Sequence, residues 1–201
     1  MTRAPRMSAD ERREATVLAA TRVFGRRGYH GATTDEIARE AGISQPYVVR
    51  MFGSKQQLFL AVTQQALELT LAAFRHVVED SREESRAVVV VRLGEAYRAL
   101  AARREIHLVQ MHAYALGADP VIGPAARAGF RQLVQFLLDE AGLPPAQTDD
   151  FMARGMLVNT VLGLRMAEDP TPVSRQLVDR VLPEAPAAAG ATERGQRGAA
   201  G

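Results

Sequence analysis

The sequence predicts an all-α protein of nine helices, and three observations carry that expectation. The 201 residues include only 10 prolines and 16 glycines, many of them placed where a helix would end. Helix-start signatures, a Ser or Thr followed three residues later by Glu or Gln, recur along the chain. Apolar residues return at three- and four-residue spacing, and no stretch alternates as a strand would. No internal repeat is present.

Each helix has its own signal. Ser8-Ala9-Asp10-Glu11 is a capping box that opens the first helix, whose inward stripe is Val17, Ala20, Val23 and Phe24. Gly28-Tyr29-His30-Gly31 breaks it after about Arg27. A second box, Thr33-Thr34-Asp35-Glu36, opens a short helix that Gly42 stops. Ser44 heads a third, with Pro46 in its first turn where N–H groups are unpaired anyway. Ser54-Lys55-Gln56-Gln57 starts a long helix to about Glu79. Ser81-Arg82-Glu83-Glu84 starts the fifth, expected to reach about Arg104, and residues 105–116 form the sixth. Asp119-Pro120 opens the seventh, which stops near Gly142; the eighth runs from about Thr148 to Met166; Thr171-Pro172 opens the last. Residues 183–201 are rich in Ala and Gly and nearly free of large apolar residues, which predicts a disordered tail.

Composition removes several function classes. There is no cysteine, so disulfides, thiolate metal sites and cysteine nucleophiles are excluded. The four histidines, at 30, 76, 107 and 112, form no metal-ligand pair with a carboxylate motif, and no nucleophile motif or phosphate-binding glycine loop is present. The expectation is therefore no enzyme, no catalytic residue, no metal and no cofactor. The apolar runs are too short to span a bilayer and the N-terminus lacks a signal-peptide core, which predicts a cytoplasmic protein with no membrane partner. Residues 1–55 carry a net charge of +4 and the remainder −2, so the N-terminal segment is the part suited to a polyanion.

Thr33 to Phe52 is the most informative stretch. Two short helices joined by a tight turn can form a helix-turn-helix, whose second helix fits the major groove. Ala38 supplies the small residue where the helices cross, and Gly42 the left-handed turn. Val48 faces back into the angle, with Ile37, Ala41, Ile43 and Phe52 completing a small core. An ordinary core hairpin remains the alternative. At these residues the chain resembles the TetR (tetracycline repressor) family. The resemblance lies in Arg22-Val23-Phe24 with Gly28-Tyr29, in Thr33-Thr34, Ile37-Ala38 and Ala41-Gly42-Ile43-Ser44, and in Phe52-Gly53-Ser54-Lys55-Gln56-Gln57-Leu58. It covers residues 10–60; beyond them it rests on helix count. Two positions depart from the pattern: Val49 stands where the family commonly has a tyrosine, and Pro46 where it has a small residue able to donate.

The resemblance implies a helix-turn-helix domain over residues 1–55 and a helical ligand-binding and dimerisation domain over 56–182. It implies a homodimer on a near-palindromic double-stranded operator, usually repressing until a small-molecule inducer binds. The other class kept open is a helical interaction or ligand-binding module that does not bind DNA. By chemistry, the hydroxyls of Thr33, Thr34 and Ser44 suit phosphate oxygens, and Lys55 suits a phosphate as a point charge. Gln45, Tyr47 and Arg50 are the expected base readers, with Pro46 beside them. Gln110, Met111, Tyr114 and Phe130 are candidates for a ligand pocket between helices. A strip of small residues, Gly155, Asn159 and Gly163, together with the apolar last helix, points to a dimer interface over residues 148–182.

Overall fold

A computed structural model describes residues 8–182. Nine α-helices and no strand are found among these residues: α1 Ala9–Gly31, α2 Thr34–Ala41, α3 Gln45–Phe52, α4 Lys55–Asp80, α5 Arg86–Ala99, α6 Arg104–Ala115, α7 Ile122–Gln135, α8 Pro145–Gly163 and α9 Pro172–Val181. Short 3₁₀ turns cover Leu100–Arg103 and Met166–Glu168, and a π turn, Phe136–Glu140, extends α7. The expected tail 183–201 lies outside the described residues.

The first two capping boxes form as the sequence implies: Ser8 with Glu11, and Thr33 with Glu36, satisfy each other reciprocally. At Ser54 only half of the box exists, the hydroxyl accepting from the Gln57 N–H. The Ser81 box does not form. Ser81 is buried at the end of α4, where its hydroxyl accepts from Arg92, and α5 starts five residues later behind Ser85. The signature is local, and packing chose the other serine. The fifth helix also ends early, at Ala99, in the 3₁₀ turn. Asp119 caps α7 as expected, its carboxylate accepting from the N–H groups of Val121 and Ile122 at 2.8 and 2.7 Å.

Two apolar cores are joined by α4. Leu58, Phe59 and Val62 at its start pack with α1, α2 and α3, and with Val109, Ala113 and Ile122 from α6 and α7. Leu67, Leu71 and Phe74 farther along pack with α5, α7 and α8. The boundary expected at residue 55 is thus crossed by one continuous helix. α1 and α6 make the other bridge, and they meet at Gly25. A Cβ there would lie 2.8 Å from the Glu105 Cβ and 2.9 Å from its Cα, so only glycine permits the approach.

Candidate nucleic-acid interface and ligand cavity

The turn between α2 and α3 has the geometry the sequence requires. Gly42 is left-handed at φ 66°, its N–H donates to Arg39, and the Ile43 N–H reaches back to Ala38. Ile37, Ala38, Val48 and Phe52 are buried in the angle between the helices. Below them Phe24 meets Phe59 edge-on at 4.9 Å between ring centroids, and Tyr29 leans on Phe59 at 5.0 Å. Glu40 ties α2 to α1 by accepting from Arg22 at 2.7 Å and Arg26 at 2.9 Å, and those hydrogen bonds hold its carboxyl below the usual range. On an exposed surface such pairs add little stability, but they fix an angle.

Three helix starts converge. Gln45 Nε2 at the head of α3 donates to Thr34 Oγ1 at the head of α2, at 3.2 Å. Lys55 at the head of α4 donates to the Ala32 carbonyl at 3.1 Å and stands 4.7 Å over the Tyr29 ring. The cluster gathers partial positive charge from helix ends and one lysine, a setting suited to phosphate. The Thr33 hydroxyl is occupied in its capping box, whereas Ser44 makes no side-chain cap and its hydroxyl is unspent. Half-buried Gln45, expected to read bases, instead braces α3 against α2.

The outward side of α3 is a single stripe. Pro46, Val49 and Arg50 are exposed, while Val48 and Phe52 are buried beneath. The Arg50 guanidinium lies 4.7 Å from the Tyr47 ring centroid, one turn earlier. Arg13, which the sequence reading passed over, secures the far end. Its guanidinium donates to the Met51 carbonyl at 3.2 Å and covers the Phe52 ring at 4.4 Å, satisfying a last-turn carbonyl of α3. Nothing local marks Arg13, because its partner is 38 residues away.

The expected ligand residues separate. Gln110 and Tyr114 line a cavity of about 20 Å³ with Phe74, Tyr97, Phe151 and Met156. Met111 does not line it, and Phe130 is 38% exposed, stacked edge-on against Tyr114 from outside. No charged side chain lines the cavity. Beside it Asn159 Oδ1 accepts from the Tyr97 hydroxyl at 2.8 Å and faces His107 Nδ1 at 3.0 Å. Burial drives the Tyr97 hydroxyl up and the His107 imidazole down, so both are neutral at pH 7. His107 Nε2 has no hydrogen-bond partner.

Of the strip Gly155, Asn159, Gly163, the first two turn inward, while Gly163 is exposed at the end of α8. Tyr97 lies 3.5 Å from where a Gly155 Cβ would stand, Leu108 lies 3.8 Å from that of Gly163, and Asn159 is buried. The small residues admit neighbouring helices of the same chain. The outward side of α8 and α9 carries Leu157, Leu164 and Val173 instead. A larger cleft of about 960 Å³ is lined by α1 and α2 on one side and by α6 and the end of α8 on the other. Its arginines are mostly committed, Arg26 to Glu40, Arg27 to Glu36, Arg165 to Glu168, and Arg104 to the Leu162 carbonyl.

Comparison with known proteins follows the same division. Residues 17–62 match the sequence profile described as bacterial regulatory proteins, tetR family. A transcriptional activator, FasR of Mycolicibacterium smegmatis, is 41% identical over 90 residues, which are 43% of this chain and 41% of that one. The regulator RutR of Escherichia coli is 35% identical over 69 residues, 34% of this chain and 32% of that one. The chain thus matches less than half the length of these relatives. Over most of the chain the fold is shared with a TetR-family regulator from Agrobacterium tumefaciens at a TM-score of 0.65 and 15% identity, covering 86% of this chain and 98% of that one. A protein from Saccharomonospora viridis, solved in complex with choline, gives 0.64 at 18% identity, covering 86% and 94%.

Proposed function

We propose that the chain is a regulator of the tetR family, whose profile its residues 17–62 match, and that it regulates transcription as a homodimer on a near-palindromic operator, repressing until a small-molecule inducer binds. The observation that carries this reading is the convergence of three helix starts around an α3 whose outward stripe is free for the major groove. Ser44, Lys55 and the α2 terminus hold phosphates; Arg50 faces base edges, steadied by the Tyr47 ring.

Dimerisation rests on the outer face of α8 and α9. Leu164 and Val173, 68% and 74% exposed, are the most exposed large hydrophobics among the described residues. Burying them against the same face of a second copy gives a two-fold axis, and so two recognition helices for two half-sites about 34 Å apart. The inducer is an uncharged molecule that enters among Gln110, Tyr114, Tyr97 and Phe151. The cavity has room for about one water, so the unbranched side chains of Met152 and Met156 move to admit a larger molecule. The choline held by the Saccharomonospora viridis protein supports a small-molecule partner in this fold. The second reading is activation in place of repression, favoured by the name of the Mycolicibacterium relative. No helix among the described residues is long and apolar enough to cross a membrane, and a cytoplasmic location accords with the reading.

The test is a mobility shift of the purified chain with DNA fragments flanking its own gene, under excess competitor DNA. Retention of one fragment supports the proposal. Equal affinity for all fragments, or for none, refutes it.

A further inference from the structure

We propose that the exposed apolar pair Pro46 and Val49 on α3 reads the C5 methyl of a thymine in each operator half-site. The assignment rests on the DNA-binding reading above and adds to it a base and a chemistry.

The argument proceeds by elimination along α3. Val48 and Phe52 are buried in the domain core. Gln45 is held by Thr34, and Met51 is half-buried with its carbonyl held by Arg13. Tyr47 is half-buried and lies against the Arg50 guanidinium. What remains on the outward stripe is the Pro46 ring, the Val49 isopropyl group at 38% exposure, and Arg50. Residues 46 and 49 are three apart on a helix, so their side chains form one contiguous apolar spot. Arg50 adjoins it.

An apolar spot has one favourable partner in the major groove. Every base pair presents donors and acceptors there, and thymine alone among the four bases adds a methyl group. Set against a cytosine amino group or a guanine O6, Val49 and Pro46 would strip water from a polar atom and offer nothing in return. Against a thymine methyl they bury apolar surface. Val49 and Arg50 are neighbours on α3, so the thymine lies in the same half-site as the base that Arg50 meets.

The protein need not be altered to test this. The operator is first selected from a random duplex pool by the purified full-length chain. Each thymine in a half-site is then replaced by deoxyuracil, which deletes only the C5 methyl and keeps base pairing. Burying one methyl-sized group contributes about 0.8 kcal/mol, a factor of about 4. We expect one thymine position at which uracil weakens binding about 4-fold in one half-site, and about 15-fold in both. In Val49→Ala, whose side chain is on the surface, discrimination between thymine and uracil at that position falls toward 1 while the other positions are unchanged. Selection of no sequence at all would sink the DNA-binding reading, and this assignment with it. A selected operator with no uracil-sensitive thymine would overturn the assignment alone. So would full discrimination retained in Val49→Ala.

Discussion

Gly25→Ala measures the close approach of α1 to α6. The added methyl would lie 2.8 Å from the Glu105 Cβ and 2.9 Å from its Cα. Carbon atoms settle at about 3.5–4.0 Å, so α1 and α6 must part by at least about 0.7 Å. One of the two atoms is backbone, and no change of rotamer relieves it. Overpacking of this kind costs about 1–3 kcal/mol. Helix propensity acts in the opposite direction, since alanine is better than glycine by about 1 kcal/mol. Gly31→Ala is the control, because its methyl would meet only the Arg27 Cβ at 3.6 Å, an ordinary contact. For a chain of this size 1 kcal/mol corresponds to about 2–4 °C in Tm, so Gly25→Ala melts about 2–12 °C below Gly31→Ala. The assay is thermal unfolding by circular dichroism of both variants and the parent chain. A Gly25→Ala protein that melts at or above Gly31→Ala refutes the close approach of α1 to α6, and with it this tie between the N-terminal helices and the rest of the chain.

Other expectations follow from single contacts. Arg13→Ala frees the Met51 carbonyl and uncovers Phe52, so operator affinity falls about 10-fold, the effect of losing one charge-assisted hydrogen bond of about 1.5 kcal/mol; titration by fluorescence anisotropy checks it. His107 is held neutral by burial, with a folded pKa below the unfolded value near 6.5. The unfolded chain therefore binds the extra proton first. Stability is full above pH 6.5 and declines as pH falls below it, by at most about 1.4 kcal/mol per unit, and His107→Gln flattens the Tm-versus-pH curve over that window. Leu164→Glu with Val173→Glu places charge on the outer face of α8 and α9 without entering the core, and light scattering reports monomers at unchanged helicity. A variant that stays dimeric locates the interface elsewhere.

Local signals carried the N-terminal domain because its determinants are local. The box at Thr33 and Glu36, the left-handed Gly42 and the buried Ala38 and Val48 all lie within 16 residues of one another, and each was legible from residue type and spacing. The same grammar failed at Ser81, where S-x-x-E occurs but the serine is buried under Arg92. At Gly28 the break is real, with φ 69° and ψ 175°, yet helical turns resume to Gly31. The ligand cavity was only half legible. Gln110 and Tyr114, four apart on α6, share a face, whereas Phe74, Tyr97, Phe151 and Asn159 arrive from three other helices. A list of aromatic and sulfur residues in one segment says nothing of which face is turned inward, so it did not separate Gln110 and Tyr114, which line the cavity, from Met111 and Phe130, which do not. The glycine strip was ambiguous for a related reason: small residues mark close approach, but not that the neighbour of Gly155 is Tyr97 of the same chain.

The most direct test of DNA binding through these helix starts is the salt dependence of affinity for the selected operator. With Ser44, Lys55 and the α2 terminus of each protomer on phosphates, six or more contacts are expected, and log K falls linearly with log salt at a slope near −0.9 per phosphate. Affinity then drops by at least about 10³ between 50 and 200 mM salt, and Lys55→Ala reduces the slope by about one unit per protomer. A slope near zero, or one that Lys55→Ala leaves unchanged alongside unchanged affinity, contradicts the placement of DNA against this face.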